Sequence, residues 1–366
     1  MSTPVHRIFN FSAGPAVLPL PVLEQAQRDL VALPGVGMSV LEISHRSKKF
    51  EEICYGAEED FAKLAGIPTG HKVLFLQGGA TLQFSMVPMN LLPPGGTADY
   101  IETGVWSEKA IAEAKKVGNV HIAASSKGSN HDHVPAQAEL RFSASPAYVH
   151  MTSNNTIFGT QLHYVPEVPA GVPLVNDASS DVFCRPVDFS KFALTYAGGQ
   201  KNLSIAGMTV VVIREDLLER APKEIPVYLR YATHAKERSL YNTPPVFGIY
   251  VLHLVLKHLL AEGGLEEMAR RNERKAAKLY AAIDGSGGFY RGHARKDSRS
   301  WMNVTFRLPF EELEARFVKE ATAAGLDGLK GHRSVGGIRA SIYNAFPEAG
   351  VDALVDFMAD FQRRAG

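Results

Sequence analysis

Residues 173–202 read PLVNDASSDVFCRPVDFSKFALTYAGGQKN. Two apolar, β-rich runs lie inside this stretch: PLVNDAS (173–179), which carries Asp177 near its end, and FALTYAG (192–198), which runs into a glycine pair and then Lys201. Short apolar runs bounded by turn residues read as buried strands. In open α/β sheets, ligands gather beyond the carboxyl ends of such strands. Working outward, the same pattern repeats. VLFLQ (73–77), TADYIETG (97–104), NVHIAAS (119–125), AYVHMTS (147–153) and TVVVIRE (209–215) are further strand candidates, and SEKAIAEAKKVG (107–118) has the spacing of an amphipathic helix. Strands alternating with helices predict a mostly parallel sheet of the seven-stranded type, covered on both faces.

The last third changes character. Residues 246–284 read as long helices, followed by a strand, WMNVTFRL (301–308), a helix over 311–324 and a terminal helix over 351–364. The expected organisation is a large α/β domain over 16–264 and a smaller α+β domain over 265–366, joined by the N-terminal segment 1–15. SKGSNHDHVPAQ (126–137) reads as a polar loop.

Composition narrows the function. The 366 residues are 45% hydrophobic and 21% charged, which is ordinary for a globular chain and argues against long disorder. No run approaches the roughly 18 apolar residues that span a bilayer, and the N-terminus lacks the pattern of a signal peptide. The expectation is therefore a cytoplasmic protein with no membrane partner. With 39 basic and 38 acidic residues, a net charge of +1 leaves no global field to recruit nucleic acid, so anion binding must be local. Cys54 and Cys184 form no CxxC pair. Helical spacing around Cys54 makes it a core residue; Cys184, in DVFCRPVDF, has the chemistry of a nucleophile but no histidine close in sequence, and reads as buried filler. His131 and His133 flank Asp132 in the polar loop but match no metal motif, and solvated histidines are expected there.

Lys201 carries the chemistry that stands out. Two glycines before it let the backbone turn sharply after a buried run and aim the amine into a cleft. An amine that attacks a carbonyl must spend time deprotonated, and desolvation or a nearby cation lowers its pKa enough for that. Taken alone, a lysine is a surface residue, and Asp177 before Ala-Ser-Ser is a helix or turn cap. Together, each ending a predicted strand, they favour a different pairing. Lys201 would hold an aldehyde cofactor as a Schiff base, and Asp177 would hold a protonated pyridine nitrogen so that the ring stays an electron sink. The turn Gly78-Gly79-Ala80-Thr81, between a strand and a helix start, offers backbone N–H groups to a phosphate. It is neither GxGxxG nor a P-loop. Trp106 follows the strand ending at Thr103-Gly104 and has the shape to lie on an aromatic ring, although core packing is the usual role of tryptophan. Ser44-His45-Arg46, Gly331-His332-Arg333 and Arg339 place basic groups in small-residue contexts, as a substrate with two anionic ends requires.

These segments closely resemble the phosphoserine aminotransferase family, class V, fold-type I enzymes that use pyridoxal phosphate. The resemblance runs almost end to end, through FNFSAGPA, EISHRS, the GGAT turn, MVPMNLLPPGG, NDASSD, YAGGQKN, YNTPP and GHRSVGGIRASIYNA. It implies a large pyridoxal-phosphate domain, a smaller α+β domain to which the N-terminal segment contributes, and a homodimer with active sites at the subunit interface. Lys201 matches the family lysine that carries the cofactor, Asp177 the partner of the ring nitrogen, Trp106 the stacking aromatic and Thr156 a hydroxyl close to the ring. Ala80, Thr81 and Gln200 match positions that hold the cofactor phosphate, with Asn242 and Thr243 reaching in from the neighbouring subunit. Arg46 and Arg339 match substrate-binding positions, and His45, His332 and Arg333 match residues around the substrate's anionic end. Two departures stand out. Thr81 stands where some members have arginine, and Leu-Ser-Ile-Ala-Gly follows Asn202 where members often show a glycine and a proline.

The implied reaction is transfer of the amino group between glutamate and 3-phosphohydroxypyruvate, giving O-phosphoserine and 2-oxoglutarate, with a related phosphorylated oxo acid of pyridoxine synthesis as a further substrate. The alternative is another class V activity, an alanine–glyoxylate aminotransferase or a cysteine desulfurase. A desulfurase needs a mobile cysteine, and neither cysteine lies in a polar, glycine-rich loop.

Overall fold

The computed structural model describes residues 7–365. Its centre is a seven-stranded sheet made of β1 (His71–Gln77), β2 (Thr97–Glu102), β3 (Asn119–Ser125), β4 (Pro146–Thr152), β5 (Leu174–Asp177), β6 (Leu194–Gly198) and β7 (Met208–Arg214). The order across the sheet is β1-β7-β6-β5-β4-β2-β3, and every neighbouring pair is parallel except the two made by β7. The central strands are apolar on both sides because both faces are covered. All four residues of β5 and all five of β6 are buried.

Helices cover the two faces. In chain order they are α1 (Leu20–Asp29), α2 (Lys48–Ala65), α3 (Gly79–Leu91) and α4 (Val105–Ala114), then α5 (Val246–Ala261), α6 (Gly264–Asp284), α7 (Glu311–Ala323) and α8 (Glu348–Ala365), of which α7 and α8 belong to the second core described below. On one face of the sheet, Phe50, Phe61, Ile249 and Leu256 of α2 and α5 pack on Phe75, Val210 and Val212. On the other, Phe84, Val87 and Ile111 of α3 and α4 pack on Leu74, Tyr196 and Val211. Ser47 starts α2 by accepting a hydrogen bond from Phe50 N, and Gly66 ends it in the left-handed conformation.

A second core lies in the last third. It joins Leu279 and Ile283 of α6 to Phe317 of α7, Leu354 and Phe361 of α8, and the antiparallel sheet β8 (Arg291–Gly292), β9 (Asn303–Arg307) and β10 (Ile338–Ser341). Phe11 is buried in this core, and Phe9–Asn10 pairs in parallel with Leu326–Asp327, so the segment around residue 10 is fastened to the last third of the chain. Residues 1–6 of the expected segment 1–15, and residue 366, lie outside the described residues. The helix α6 serves both cores: Leu265 and Met268 face the first, Ala276 and Leu279 the second. It meets α5 at 85°, and among the described residues no single helix is long and apolar enough to cross a membrane.

The polar loop corrects one expectation. His131 is buried rather than solvated, its ring 4.8 Å from that of Phe158 and its Nδ1 3.2 Å from Ser126 Oγ. Positive φ at Asn130 and His131 turns the loop back on itself, and periodicity carries no signal for such a turn.

Candidate active site

A cavity of about 660 Å³ opens at the carboxyl ends of the central strands. Its walls include Ala80, Thr81, Trp106, Thr156, Asp177, Gln200, Lys201, His332 and Arg339, residues that lie far apart in sequence. The opening segment contributes Ala13, Gly14 and Pro15, because the backbone N of Ala16 donates to the carbonyl of Gln200 and draws that segment over the lysine.

Lys201 follows β6 and the glycine pair. Its Nζ has no hydrogen-bond partner among the described residues and sits 5.7 Å from the centroid of the Trp106 ring. Burial pulls its pKa down to about 8; Asp177 and Asp181 work against that pull and Arg339 works with it. An amine in this state is deprotonated about one-tenth of the time at pH 7, far more than an ordinary lysine, as a nucleophile and proton carrier must be. Asp177 ends β5 and is buried, with its Oδ1 accepting from Ser179 N at 3.0 Å and from Ser179 Oγ at 2.5 Å. Burial raises its pKa, while the Ser179 bonds and the charge of Lys201 hold it down. The capping geometry expected of an Asp before Ala-Ser-Ser is thus present together with exposure to the cavity, since one oxygen takes the turn.

Gly78 and Gly79 have φ of 91° and 63°, and α3 starts at the second of them. A Cβ on Gly78 would come within 2.6 Å of Leu82 Cδ2, so only glycine fits that corner. The helix therefore points its free N–H groups and positive end at the cavity. Trp106 Nε1 donates to Thr156 Oγ1 at 3.0 Å, which fixes the indole plane. The carbonyl of Thr156 accepts from Arg339 Nη1 at 3.3 Å, while Arg339 Nε is buried without a partner. Burial lowers the pKa of His332, as do the neighbouring charges of Arg339, Arg333 and Lys109. Nδ1 of His332 lies 2.6 Å from Ser334 Oγ and accepts from Ser334 N at 3.2 Å, so Ser334 fixes the ring's orientation.

Not every expected residue reaches the cavity. Arg46, Arg333 and Thr243 are exposed, and neither these nor His45 and Asn242 line the cavity of their own chain. The carbonyl of Thr243 accepts from Gln77 Nε2 at 2.9 Å. Both cysteines are buried. Burial pushes the Cys54 thiol up to about 12 and raises that of Cys184 as well, so neither forms a ready thiolate. Among the cavity-lining residues that sequence reasoning passed over are Ser179, Asn154 and Ile157. Ser179 was legible as the turn partner of Asp177; the others look like ordinary helix or strand positions.

The Aminotransferase class-V family matches residues 8–354. The chain belongs to the phosphoserine aminotransferase family of these enzymes. A phosphoserine aminotransferase from Herpetosiphon aurantiacus is 58% identical over 359 residues, covering 98% of this chain and 99% of the relative. Among solved structures, the phosphoserine aminotransferase of Bacillus circulans subsp. alkalophilus superposes with a TM-score of 0.97 at 52% identity, covering 98% of this chain and 99% of that one. The PLP-bound phosphoserine aminotransferase of Trichomonas vaginalis superposes with a TM-score of 0.92 at 39% identity, covering 96% and 100%.

Proposed function

We propose that this chain is a pyridoxal-phosphate-dependent transaminase that moves the amino group between glutamate and 3-phosphohydroxypyruvate, forming O-phospho-L-serine and 2-oxoglutarate. The observation that carries this reading is the meeting of an unpartnered, deprotonatable Lys201 and the buried Asp177 in one cavity, beside an Arg339 with an unfilled N–H. The donors and charges present suit the cofactor. A helix N-terminus with Ala80 and Thr81 suits its phosphate, Trp106 and Thr156 its ring, Asp177 its ring nitrogen and Lys201 its aldehyde. When bound, pyridoxal phosphate supplies an electron sink for the pair left at the substrate Cα.

The chain's own residues do the rest. Lys201 Nζ takes the proton from Cα and later returns one, and a pKa near 8 lets a single amine serve both directions. Asp177, whose Oδ1 is oriented by the two Ser179 bonds, would hold a positive charge at the ring nitrogen. Arg339 grips the α-carboxylate, its free Nε adding a second N–H to the fork. His332 and Arg333, with Arg46 and His45, take the distal phosphate or γ-carboxylate. Fixing both ends of the substrate is what aims the Cα–H at the lysine. The phosphorylated oxo acid of pyridoxine synthesis presents the same two ends and fits the same reading.

The reading includes a homodimer with shared sites and a cytoplasmic location. His45, Arg46, Asn242 and Thr243 do not line their own cavity, and their sequence neighbours Met38, Leu41 and Tyr241 are exposed apolar side chains. Apolar surface of this kind marks a contact face, and a second copy is the occupant that would bring those four residues to a cavity. The test is half-reaction spectroscopy on the purified yellow protein. Glutamate and O-phospho-L-serine should each bleach the bound cofactor and release their own oxo acid. Bleaching by glutamate alone would remove the phosphorylated substrate while leaving the transaminase in place.

A further inference from the structure

The segment that carries His332 and Arg333 is held from its far side by two residues with no part in the reaction described above. The ends of this loop are joined where Gly331 N donates to the carbonyl of Gly337 at 2.8 Å, and its tip is a turn in which Gly336 N donates to the carbonyl of His332 at 2.8 Å. Beneath it, Arg307 of β9 donates through Nη1 to the carbonyl of Val335 at 2.8 Å and through Nε to Glu314 Oε1 at 2.5 Å. Glu314, on α7, is a buried carboxylate. Its Oε1 also accepts from Leu308 N at 3.2 Å, and its Oε2 accepts from Gly337 N at 3.1 Å. A Cβ on Gly337 would lie 2.5 Å from Arg307 Cδ, so the loop is seated directly on the guanidinium stem. On this underside is a second cavity, of about 370 Å³, which shares His332 with the active one. The loop therefore has space on both sides.

We propose that Arg307 and Glu314 are positioning residues that lock the 331–337 loop with His332 turned to the active cavity, and so set the preference for substrates with a distal anion. The proposal rests on the assignment of His332 to the substrate's distal anion. A carboxylate suits the position because it accepts from three N–H donors arriving from two sides. The amide of Glu314→Gln keeps one accepting oxygen and turns an NH2 group against either Arg307 and Leu308 N or Gly337 N. Electrostatics alone gives the opposite sign. Removing a negative charge near an anion site strengthens anion binding, so a weakened affinity reports lost positioning.

The experiment uses the holoenzyme. Glu314→Gln should raise the apparent dissociation constant of O-phospho-L-serine about tenfold. The half-reaction with alanine, which has no distal anion, should be unchanged, as should the cofactor absorbance. Adding Glu314→Gln to His332→Ala should cost clearly less than the sum of the two single losses, because both act through the same loop. Arg307→Lys keeps a cation for Glu314 but cannot also hold Val335, and it should show a weaker form of the same pattern; it serves as the reporter if Glu314→Gln does not fold. Equal losses with alanine and phosphoserine, or fully additive losses with His332→Ala, would assign the pair to plain stability and overturn the proposal. If His332→Ala weakens phosphoserine while both loop-side variants bind it normally, the proposal alone falls. If His332→Ala binds phosphoserine normally, the assignment of His332 fails and the proposal goes with it.

Discussion

Lys201 and Lys275 are both lysines taken out of water, and they end in opposite states. Lys275, on α6 where the two cores meet, is 2% exposed and donates to the carbonyls of Tyr343, Ile342 and Phe346 at 2.7, 3.0 and 3.1 Å. Burial pulls its pKa toward about 7, yet three acceptors match the three donors of an ammonium and not the two of an amine. It is a strut, with every valence used. Lys201 has a pKa of about 8 and an Nζ with no acceptor among the described residues, facing a cavity. Burial alone therefore does not make a reactive amine. An unfilled valence aimed at open space does.

The comparison breaks most visibly at its reactive member. Lys201→Ala should remove the protein-bound cofactor absorbance and lower turnover by at least about 10²-fold, with the denaturant midpoint near that of the parent. A variant that kept turnover would dissolve the distinction. Lys275→Met should do the reverse. It takes the donor from the carbonyls of Ile342 and Phe346, while that of Tyr343 keeps the bond from Phe346 N, and should cost about 3 kcal/mol of stability, read from chemical denaturation, while the folded fraction keeps its kcat. A smaller effect sharpens the contrast. Arg339→Ala should weaken both amino-acid substrates about tenfold. It should also move the pKa of Lys201 upward from about 8, because a cation that disfavours the ammonium is gone. Amine labelling of the cofactor-free protein as a function of pH reads this directly: the Lys201 curve shifts to higher pH, and Lys275 stays unlabelled throughout. A downward shift, or none, would separate Arg339 from the amine.

The seven strands of the large sheet were legible because each is a short apolar run between turn residues, and burial on both faces leaves that mark on any parallel sheet. The strand Asn119–Ser125 has the bounds that its sequence suggests, and the others differ by one or two residues at an end. The strand Ile338–Ser341 was not read, since GGIRASIYN has too little alternation to distinguish it from a loop. Asp177 and Lys201 were legible as a pair because each follows a strand, and strand ends collect on one edge of the sheet.

Local sequence thus determined where strands and helices run, that a glycine pair would present a helix end, and that an acid and an amine would share a sheet edge. All of these follow from contacts within a few residues. Tertiary structure decided what those groups became. It folded the N-terminal segment over Lys201, buried His131, seated the His332 loop on Arg307 and Glu314, and gave Lys275 three acceptors while leaving Lys201 none. Desolvation and hydrogen-bond supply are set by neighbours that arrive from distant parts of the chain, and no window of sequence contains them.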